Sequence, residues 1–469
     1  MVNMPRSLRP VLSLRLLVLL APAAVAGLVT PSTTRRGAVN GAATAAAIAS
    51  TGSPPPAAKA ASKPKSGPTN EVVKTVDGIR QKRLGGSDII VSEMGLGTQR
   101  WGSTDFNAPD EAMCHKLLDR AVLGSGINLI DTAEQYPIPS DRMRPEGDTE
   151  RIIGSWLRQD RSRREKVVLA SKITGGRNVN ARNIIADCEA SLQRLGTDYL
   201  DVYTLHWPAR YSPQSNWGQS LEYRQDIEQY SGGRASFEEI AEAMGRLQRE
   251  GKIRGWGMCN DNTFGLTASS YAARALGVPP PVVMQNDYSL LNRRIDENGH
   301  AEASSPVHLN TGFMAYNVLA GGVLTGKYLD RPAAPDDPNI ERARRSLEQP
   351  RGRMDTRGWG PTLYRYRSGP ADEATRSYAK LAEEAGMPLT ELALRWMRTR
   401  SVVTTSLLGH TSVAQLEEDL KYFKSSTALP RDLLWQIDRV HMRNRLPIFA
   451  STRVGSDWDG EGEIGEPIP

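Results

Sequence analysis

Short apolar runs alternate along this chain with longer segments in which apolar residues recur every three or four positions. The first pattern is typical of buried strands, and the second is typical of helices with one buried face. Strands and helices that alternate eight times predict an α/β fold, a closed (β/α)₈ barrel of the TIM type. The eight predicted strands cover residues 94–98, 128–133, 166–172, 199–206, 253–259, 281–285, 312–317 and 402–408.

Several predicted helices have recognisable capping residues at their ends. Asp110 and Asp148 stand at the starts of two helices and are expected to be N-caps, while Gly124, Gly196 and Gly251 follow the ends of three helices, the first of which is the helix that Asp110 starts. The predicted helices cover residues 110–123, 149–158, 181–195, 237–250, 263–276, 371–385, 390–399 and 412–423, and an appended helix follows at 433–442.

The chain before the first barrel strand predicts a β-hairpin. Apolar segments at 79–84 and 89–91 flank Gly85-Gly86-Ser87-Asp88, which is typical of a tight turn. We expect this hairpin to close the bottom of the barrel. Two long polar segments, 207–235 and 328–370, follow predicted strands. Loops at the carboxyl ends of barrel strands determine substrate specificity, so we expect that role here.

Three predicted strands end in side chains that can do chemistry. Asp131 ends one strand and is followed after a turn by Tyr136, Lys172 ends the next strand, and His206 ends the third. Because the carboxyl ends of barrel strands meet at one mouth, we expect these four residues to form one site. Each residue alone has a structural explanation, such as a turn cap or a buried histidine. Their joint placement favours a catalytic site.

Charge is unevenly distributed along the 469 residues. The first 70 residues contain eight of the 59 Lys and Arg residues and none of the 53 Asp and Glu residues, so the remainder carries 51 basic and 53 acidic side chains. The formal net charge of +6 becomes −2 without this segment, and we expect no nucleic-acid partner. Cys114, Cys188 and Cys259 fit neither a metal motif nor a disulfide framework, so no metal is predicted.

Residues 1–70 have the composition of a targeting leader. Basic residues, an apolar segment and Ala24-Val-Ala26 are typical of a signal peptide, and the acid-free Ala, Ser, Thr, Gly and Pro tract that follows is typical of a transit peptide. This bipartite pattern predicts a plastid location; a single plastid or mitochondrial transit peptide and an uncleaved tail on a cytoplasmic protein are the alternatives. Arg15 and Pro22 interrupt the apolar segment, so no membrane span is predicted. The predicted organisation is a leader at 1–70, a barrel at 71–450 and an acidic tail at 451–469.

Nine motifs between about residues 80 and 445 resemble those of the aldo-keto reductase family, specifically its Tas-like branch. The resemblance implies an NADPH-dependent reductase of small aldehydes or ketones, built on a (β/α)₈ barrel without a Rossmann domain. The motifs are Gly95-Leu-Gly-Thr98, Asn128-Leu-Ile-Asp-Thr-Ala-Glu-Gln-Tyr-Pro137, Ala170-Ser-Lys172, Leu195-Gly-Thr-Asp-Tyr-Leu-Asp201, Leu205-His-Trp-Pro208, Gly251-Lys-Ile-Arg254, Gln285-Asn-Asp-Tyr-Ser-Leu-Leu-Asn-Arg293, Leu324-Thr-Gly-Lys-Tyr328 and Gly409 with Gln415-Leu-Glu-Glu418.

The resemblance implies that Tyr136 is the general acid of a catalytic set of four. A free tyrosine, with a pKa of about 10, is a poor acid near neutrality. A neighbouring ammonium stabilises tyrosinate, so Lys172 is expected to lower the pKa of Tyr136. Asp131 is expected to hold Lys172 charged and in place, and His206 to orient the carbonyl oxygen through a hydrogen bond.

The resemblance also implies the cofactor contacts. Cys259, Asn260 and Gln285 are expected to bind the nicotinamide carboxamide, because amides offer both donors and acceptors. Cys259 stands where the family usually has serine, which replaces a strong donor by a weak one. Tyr316 is expected to stack on the nicotinamide ring, and the pyrophosphate is expected to meet backbone N–H groups and the Lys327 ammonium. The further residues expected to contact the cofactor are Thr98, Asp131, Asn317, Val318, Leu319, Ala320 and Gly321.

The last unit matches the family positions that meet the adenosine 2′-phosphate and adenine. A dianionic 2′-phosphate favours a guanidinium or ammonium, but the only basic residue in this stretch is His410. Arg353 from the long seventh loop is therefore the expected partner, and NADPH is expected over NADH, which is the alternative. Trp101, Trp207 and Trp217 are expected to shape an apolar substrate pocket, or else to pack within their loops. The matching positions are Gly409, Thr411, Gln415, Glu418 and Asp419, the last in place of the usual Asn.

Two other functions are consistent with these residues. A redox-sensing binding subunit of the potassium-channel β-subunit type shares the implied fold and the catalytic set, so fold alone does not decide. A Schiff-base aldolase needs a lysine at a strand end, as Lys172 is. Asp131 opposes that function because it would keep Lys172 charged and therefore not nucleophilic. The sequence indicates neither the substrate nor the oligomeric state.

Cleavage of the leader is a testable expectation. Because the segment before Glu71 is acid-free and basic, its removal should leave a near-neutral mature protein. N-terminal sequencing of the native protein measures this directly. An intact Met1 would contradict the prediction.

Overall fold

The computed structural model describes residues 67–212, 223, 225, 234–329, 351–355, 366, 368–445 and 447–448. Most of the predicted leader, the acidic tail and much of the two long loops lie outside these residues, as does Trp217. The leader, its cleavage and the plastid location therefore stay predictions.

A three-stranded antiparallel sheet precedes the barrel, in the order β1-β2-β3. Its strands are β1 (Val72–Val76), β2 (Ile79–Arg83) and β3 (Ile90–Ser92). β2 and β3 are the two strands of the predicted hairpin. β1 is an additional strand that the apolar pattern did not predict, because all five of its residues are exposed.

Eight parallel strands close into a barrel in the order β10-β11-β4-β5-β6-β7-β8-β9. The predicted (β/α)₈ barrel is thereby confirmed. The strands are β4 (Met94–Gly97), β5 (Leu129–Asp131), β6 (Val168–Ile173), β7 (Leu200–Leu205), β8 (Ile253–Cys259), β9 (Val283–Asp287), β10 (Gly312–Tyr316) and β11 (Thr405–Leu408).

Helices follow the strands, and their apolar faces bury a second core outside the barrel wall. Trp156, Trp256 and Trp396 are among its fully buried side chains. The helices are α1 (Glu111–Leu118), α2 (Asp148–Gln159), α3 (Arg163–Lys166), α4 (Ala181–Leu195), α5 (Phe237–Arg249), α6 (Thr263–Ala275), α7 (Arg294–Glu297), α8 (His300–Ser304), α9 (Gly369–Glu384), α10 (Leu389–Thr399), α11 (Val413–Lys424) and α12 (Arg431–Arg443). Within the described ranges, no helix has both the length and the apolar character needed to cross a bilayer.

Capping residues explain several helix boundaries, with one correction. Asp110 caps α1, where its side chain accepts a hydrogen bond from the Met113 backbone N–H, and Gly196 ends α4 in the left-handed conformation at φ 66°. The prediction that Asp148 caps the next helix was wrong. Gly147 is the N-cap of α2 at φ 84°, and Asp148 is the first helical residue, where its charge is favourable to the helix dipole.

The segment between β9 and β10 contains helices that the sequence pattern did not predict. α7 and α8 have four and five residues, so neither is long enough to show a helical repeat of apolar positions. The last barrel strand is also shorter than predicted. It begins at Thr405, because Ser401 and Val402 form a turn.

The N-terminal hairpin closes the bottom of the barrel. Leu84, Ile89 and Val91 are buried in one cluster with inward-facing strand residues such as Leu129 and Met314. This is the role predicted for the hairpin. The cluster fills the barrel interior below the polar strand ends and removes water from that side.

Gly85, at the hairpin turn, offers a direct test of this closure. Its φ is +60°, and a Cβ there would lie 2.4 Å from the Val282 carbonyl oxygen. Gly85→Ala should therefore lower the free energy of unfolding by about 1–2 kcal/mol from backbone strain and by about 1–3 kcal/mol more from overpacking. Chemical denaturation measures the loss.

Gly251→Ala is the matched control. Gly251 has φ +71°, but no atom lies within 4 Å of its would-be Cβ. The Gly251→Ala variant should therefore lose unfolding free energy from backbone strain but not from overpacking. Equal losses in the two variants would contradict a tight fit of the hairpin against the barrel.

Candidate active site

The structure brings the four predicted catalytic residues together at the barrel mouth. Asp131 ends β5, Lys172 lies near the end of β6, and His206 directly follows β7, so the three come from neighbouring strands. Tyr136 lies in the loop after β5. All four side chains are buried.

Lys172 is fixed by two hydrogen bonds. Its Nζ lies 2.7 Å from Asp131 Oδ2 and 2.8 Å from the Thr132 carbonyl oxygen. Burial alone would lower the pKa of Lys172, but Asp131 and the other acidic groups around it raise that pKa above its ordinary value. Lys172 is therefore a buried ammonium at any physiological pH.

Tyr136 lies against both Lys172 and His206. The Lys172 Nζ is 5.2 Å from the centroid of the Tyr136 ring, and the Tyr136 and His206 rings meet edge to face with centroids 5.6 Å apart. The loop that carries Tyr136 is anchored by Gly147 N–H, which donates to the Tyr136 carbonyl at 2.9 Å, and by Ile138 N–H, which donates to the Gln99 carbonyl at 2.8 Å.

The expected lowering of the Tyr136 pKa was wrong in its net direction. Burial raises the pKa of Tyr136, and the opposing effect of Lys172 is smaller than this desolvation. The phenol is therefore protonated at neutral pH, the form that can donate a proton. Lys172 still stabilises the charge that appears on the oxygen when the proton leaves.

His206 is a neutral imidazole in this site. Burial, with a contribution from Lys172, lowers its pKa far below the ordinary value. Its Nδ1 is buried and has no hydrogen-bond partner among the described residues. A neutral imidazole carries one N–H donor, and the low pKa keeps it from competing as an acid.

Glu134 is a half-buried acidic group that the sequence did not single out, although it lies within the quoted motif of residues 128–137. Its Oε1 accepts a hydrogen bond from the Thr174 N–H at 2.6 Å, and its own N–H donates to the Lys172 carbonyl at 3.2 Å. Burial raises its pKa to about 7. These bonds tie the Tyr136 loop to the strand that carries Lys172.

The residues predicted to bind a carboxamide line the neighbouring strand ends and contact the catalytic set. Gln285 Nε2 donates to Asp131 Oδ1 at 2.8 Å, and Asn260 Nδ2 donates to the His206 carbonyl at 2.9 Å. Tyr316 OH donates to Asn260 Oδ1 at 2.5 Å. The Cys259 thiol donates weakly to Gln285 Oε1 at 3.5 Å, and burial raises its pKa to about 12.

The turn after β10 has an unusual backbone. Asn317, Ala320, Gly321 and Gly322 all have positive φ, at 54°, 49°, 65° and 97°. Val318 is buried and Leu319 is half-buried. The three consecutive left-handed residues at 320–322 turn the chain sharply, and the Ala320 and Gly322 N–H groups donate to the Asn317 and Leu319 carbonyls at 2.6 and 2.8 Å. The Asn317 side chain turns away, with Nδ2 3.4 Å from Asp287 Oδ2.

Three cations lie close to one another beside this turn. Burial lowers the pKa of Lys327, and the nearby charges of Arg353 and Arg100 lower it further. Burial and Arg100 lower the pKa of Arg353 to about 10. Arg100, on the loop after β4, was not predicted. Its signal in the sequence is slight, since a single arginine in a loop is common. Arg100 is paired with Asp105, with Nη2 3.0 Å from Oδ2, and the three cations together favour a polyanion.

The residues predicted to meet adenosine lie around the start of α11. Thr411 N–H donates to Gln415 Oε1 at 2.9 Å, and Tyr422 OH donates to Glu418 Oε1 at 2.9 Å. Gly409 directly follows β11, the strand that leads to this helix. Asp419 is buried and pairs with His410, with Oδ2 2.9 Å from the ring Nε2. Their contacts with a cofactor stay predictions.

The remaining predicted residues have different surroundings. The Thr98 hydroxyl donates to the Asp131 carbonyl at 2.8 Å, so it supports the catalytic loop. Trp101 is only 2% exposed and belongs to the second core, outside the barrel wall. Trp207 is half-buried and stacks on His206 with ring centroids 6.1 Å apart, which leaves it the better candidate for a substrate contact.

Cysteine and metal chemistry can be assessed only for the part of the chain that the structure describes. Cys114, Cys188 and Cys259 are all buried and free. In this part no group of three or more His, Cys, Asp or Glu side chains is arranged to hold a metal ion.

Comparison with known proteins finds one family and several similar chains. The model described as "Aldo/keto reductase family" matches residues 93–441. "Protein tas" of Escherichia coli (strain K12) is 34% identical over 372 residues, covering 76% of this chain and 96% of that protein. "Aldo-keto reductase" of Babesia bovis is 32% identical over 296 residues, 60% of this chain and 98% of that protein. "Uncharacterized oxidoreductase YrpG" of Bacillus subtilis (strain 168) is 27% identical over 372 residues, 76% of this chain and 94% of that protein.

Proposed function

The chain belongs to the aldo/keto reductase family of carbonyl oxidoreductases, and we propose that it is an NADPH-dependent reductase of small aldehydes or ketones in which Tyr136 donates the proton. The observation that carries the proposal is the buried contact of Tyr136 with the ion pair of Lys172 and Asp131. A protonated phenol, a fixed cation and a neutral imidazole are the groups that carbonyl reduction requires on the oxygen side.

The described residues fit NADPH. The amides of Asn260 and Gln285 face the same end of the barrel as Tyr136 and offer the donors and acceptors that a carboxamide needs. The Lys327 ammonium lies beside the turn at Gly321 and Gly322, where a Cβ on Gly322 would be 3.2 Å from Nζ, and an ammonium at this place suits a pyrophosphate. NADPH, when bound, supplies the hydride that is delivered to the carbonyl carbon.

The protein side of the reaction follows from the charges at the oxygen. The His206 N–H orients the carbonyl oxygen toward the Tyr136 hydroxyl. Tyr136 gives up its proton as negative charge develops on that oxygen. The Lys172 ammonium stabilises the resulting tyrosinate, and Asp131 keeps Lys172 in place. A fixed cation costs no reorganisation when the charge appears, because its orientation was settled during folding.

The contacts of Lys172 argue against the Schiff-base alternative. An amine must be unprotonated to attack a carbonyl. The Lys172 pKa is raised by Asp131, and the ammonium is held by two acceptors. It is also only 1% exposed. Sodium borohydride should therefore trap no carbonyl substrate on this lysine.

Replacing Tyr136 tests the proposed acid. Tyr136→Phe removes the proton with almost no change in volume, so folding and NADPH binding should survive while kcat falls by about 10²-fold or more. Lys172→Met should also lower kcat and move the alkaline limb of the pH profile to higher pH, because Tyr136 loses the cation that opposes its raised pKa. Steady-state assays with 4-nitrobenzaldehyde measure both.

Tyr203→Phe is the matched control for that experiment. Tyr203 is also a fully buried barrel tyrosine, and its hydroxyl has no hydrogen-bond partner among the described residues. It should keep wild-type turnover. If Tyr136→Phe also keeps it, Tyr136 is not the acid. Tight NADPH binding without turnover on any carbonyl compound would favour the redox-sensing subunit instead.

Replacing Arg353 tests the choice of cofactor. If Arg353 meets the 2′-phosphate, Arg353→Ala should weaken NADPH binding by about 1–3 kcal/mol, the strength of a charge-assisted contact, and leave NADH binding nearly unchanged. Fluorescence titration with each cofactor measures the difference. Arg376→Ala removes an arginine paired with Asp372 on α9 and should change neither affinity. Equal losses for both cofactors in Arg353→Ala would refute the assignment.

A further inference from the structure

A bidentate ion pair connects the loop after β7 to the end of β8. Arg210 Nη1 lies 2.8 Å from Asp261 Oδ2, and Arg210 Nη2 lies 2.6 Å from Asp261 Oδ1. The same Nη2 lies 3.1 Å from Asn262 Oδ1. Arg210 stands four residues after His206, and Asp261 directly follows Asn260. Each partner is thus a close neighbour of one active-site residue.

The surroundings are shaped around this pair. The Arg210 guanidinium carbon lies 5.4 Å and 5.5 Å from the ring centroids of Phe237 and Phe264, so two aromatic rings flank the cation. Asp261 is only 4% exposed. A Cβ on Gly265 would lie 2.3 Å from both carboxylate oxygens, so the carboxylate fits only because position 265 has no side chain.

The turn between the pair and the active site is left-handed at Asn260, with φ 58°, a conformation that asparagine adopts more readily than most other residues with a side chain. Residues of β9 hold this turn through two hydrogen bonds. The Asn260 N–H donates to the Gln285 carbonyl at 3.0 Å, and Asn286 Nδ2 donates to the Asp261 carbonyl at 2.8 Å.

We infer that the Arg210–Asp261 pair positions Asn260, and with it the nicotinamide end of the cofactor site. The pair fixes the Asp261 side chain, while residues of β9 bond the Asn260 N–H and the Asp261 carbonyl. It also ties the loop that follows His206 to the same turn. This inference rests on the proposed function, in which Asn260 binds the carboxamide. An ion pair with a buried partner adds little net stability compared with apolar packing. A positioning role therefore accounts for the bidentate geometry of this pair better than a stabilising role does.

Three variants break the pair in different ways. Asp261→Asn keeps the size but removes the charge, Arg210→Met keeps much of the stem but removes the guanidinium, and Gly265→Ala displaces the carboxylate without altering either partner. Each should raise the Kd for NADP⁺ by about tenfold and lower kcat. The double variant of Asp261→Asn with Arg210→Met should be no worse than either single one, because the two residues act as a unit.

A cofactor fragment separates positioning from general damage. 2′,5′-ADP has the adenosine and phosphate groups but no nicotinamide, so its Kd should stay within about twofold of wild type in all variants. Arg80→Met is the control for loss of a similar pair elsewhere. Arg80 pairs with the buried Glu93 at the other end of the barrel, and its loss should lower Tm without changing the Kd for NADP⁺.

Titrations on the full-length chain decide the inference. It is overturned if the variants bind NADP⁺ as wild type does, or if they lose 2′,5′-ADP and NADP⁺ equally. If wild type itself binds neither ligand, the proposed function fails instead. Gly265→Ala keeps the test decisive if a charge variant does not fold, because alanine is a better helix former than glycine and the substitution retains both charges.

Discussion

The buried ion pair of Lys172 and Asp131 is the interaction on which the site depends. An isolated charge in a dry interior costs several kcal/mol, and losing one partner leaves the other uncompensated. The barrel offsets this cost by placing the two residues on adjacent strands, where Asp131 is in register with Ala170, two residues before Lys172. Gln285 donates to the second Asp131 oxygen and Thr132 accepts from Lys172. Both charges are therefore satisfied before any ligand arrives.

The same burial sets the protonation of the neighbouring groups. A dry environment disfavours any new charge, so Tyr136 stays a phenol and His206 stays neutral, while the ammonium of Lys172 persists because Asp131 compensates it. Lys172 by itself favours tyrosinate and would lower the pKa of Tyr136, as the sequence led us to expect. Desolvation is the larger effect in the folded protein. The two effects then have separate consequences, since burial keeps the proton on Tyr136 and Lys172 stabilises the anion after transfer.

The sequence predicted those features that depend on local pattern. The barrel strands were visible because each is an apolar run, and the catalytic set was visible because Asp131, Lys172 and His206 end three of these runs. The strand β1 was missed because it has no buried residue, and α7 and α8 were missed because helices of four and five residues are too short to show a repeat of apolar positions. The family membership inferred from the nine motifs is confirmed by the match over residues 93–441.

Sequence patterns did not predict which distant segments pair with each other. Arg210 and Asp261 are 51 positions apart, and no local repeat indicates that they meet. The positive cluster of Arg100, Lys327 and Arg353 is a similar case, because its members come from two separate loops.

This cluster is positive, whereas the chain without its first 70 residues has a net charge of −2. Anion binding is decided by the field at the site, where partly dry surroundings screen little, and not by the total charge of the protein. The mouth of the barrel can therefore attract an anionic ligand although the chain after residue 70 is slightly acidic.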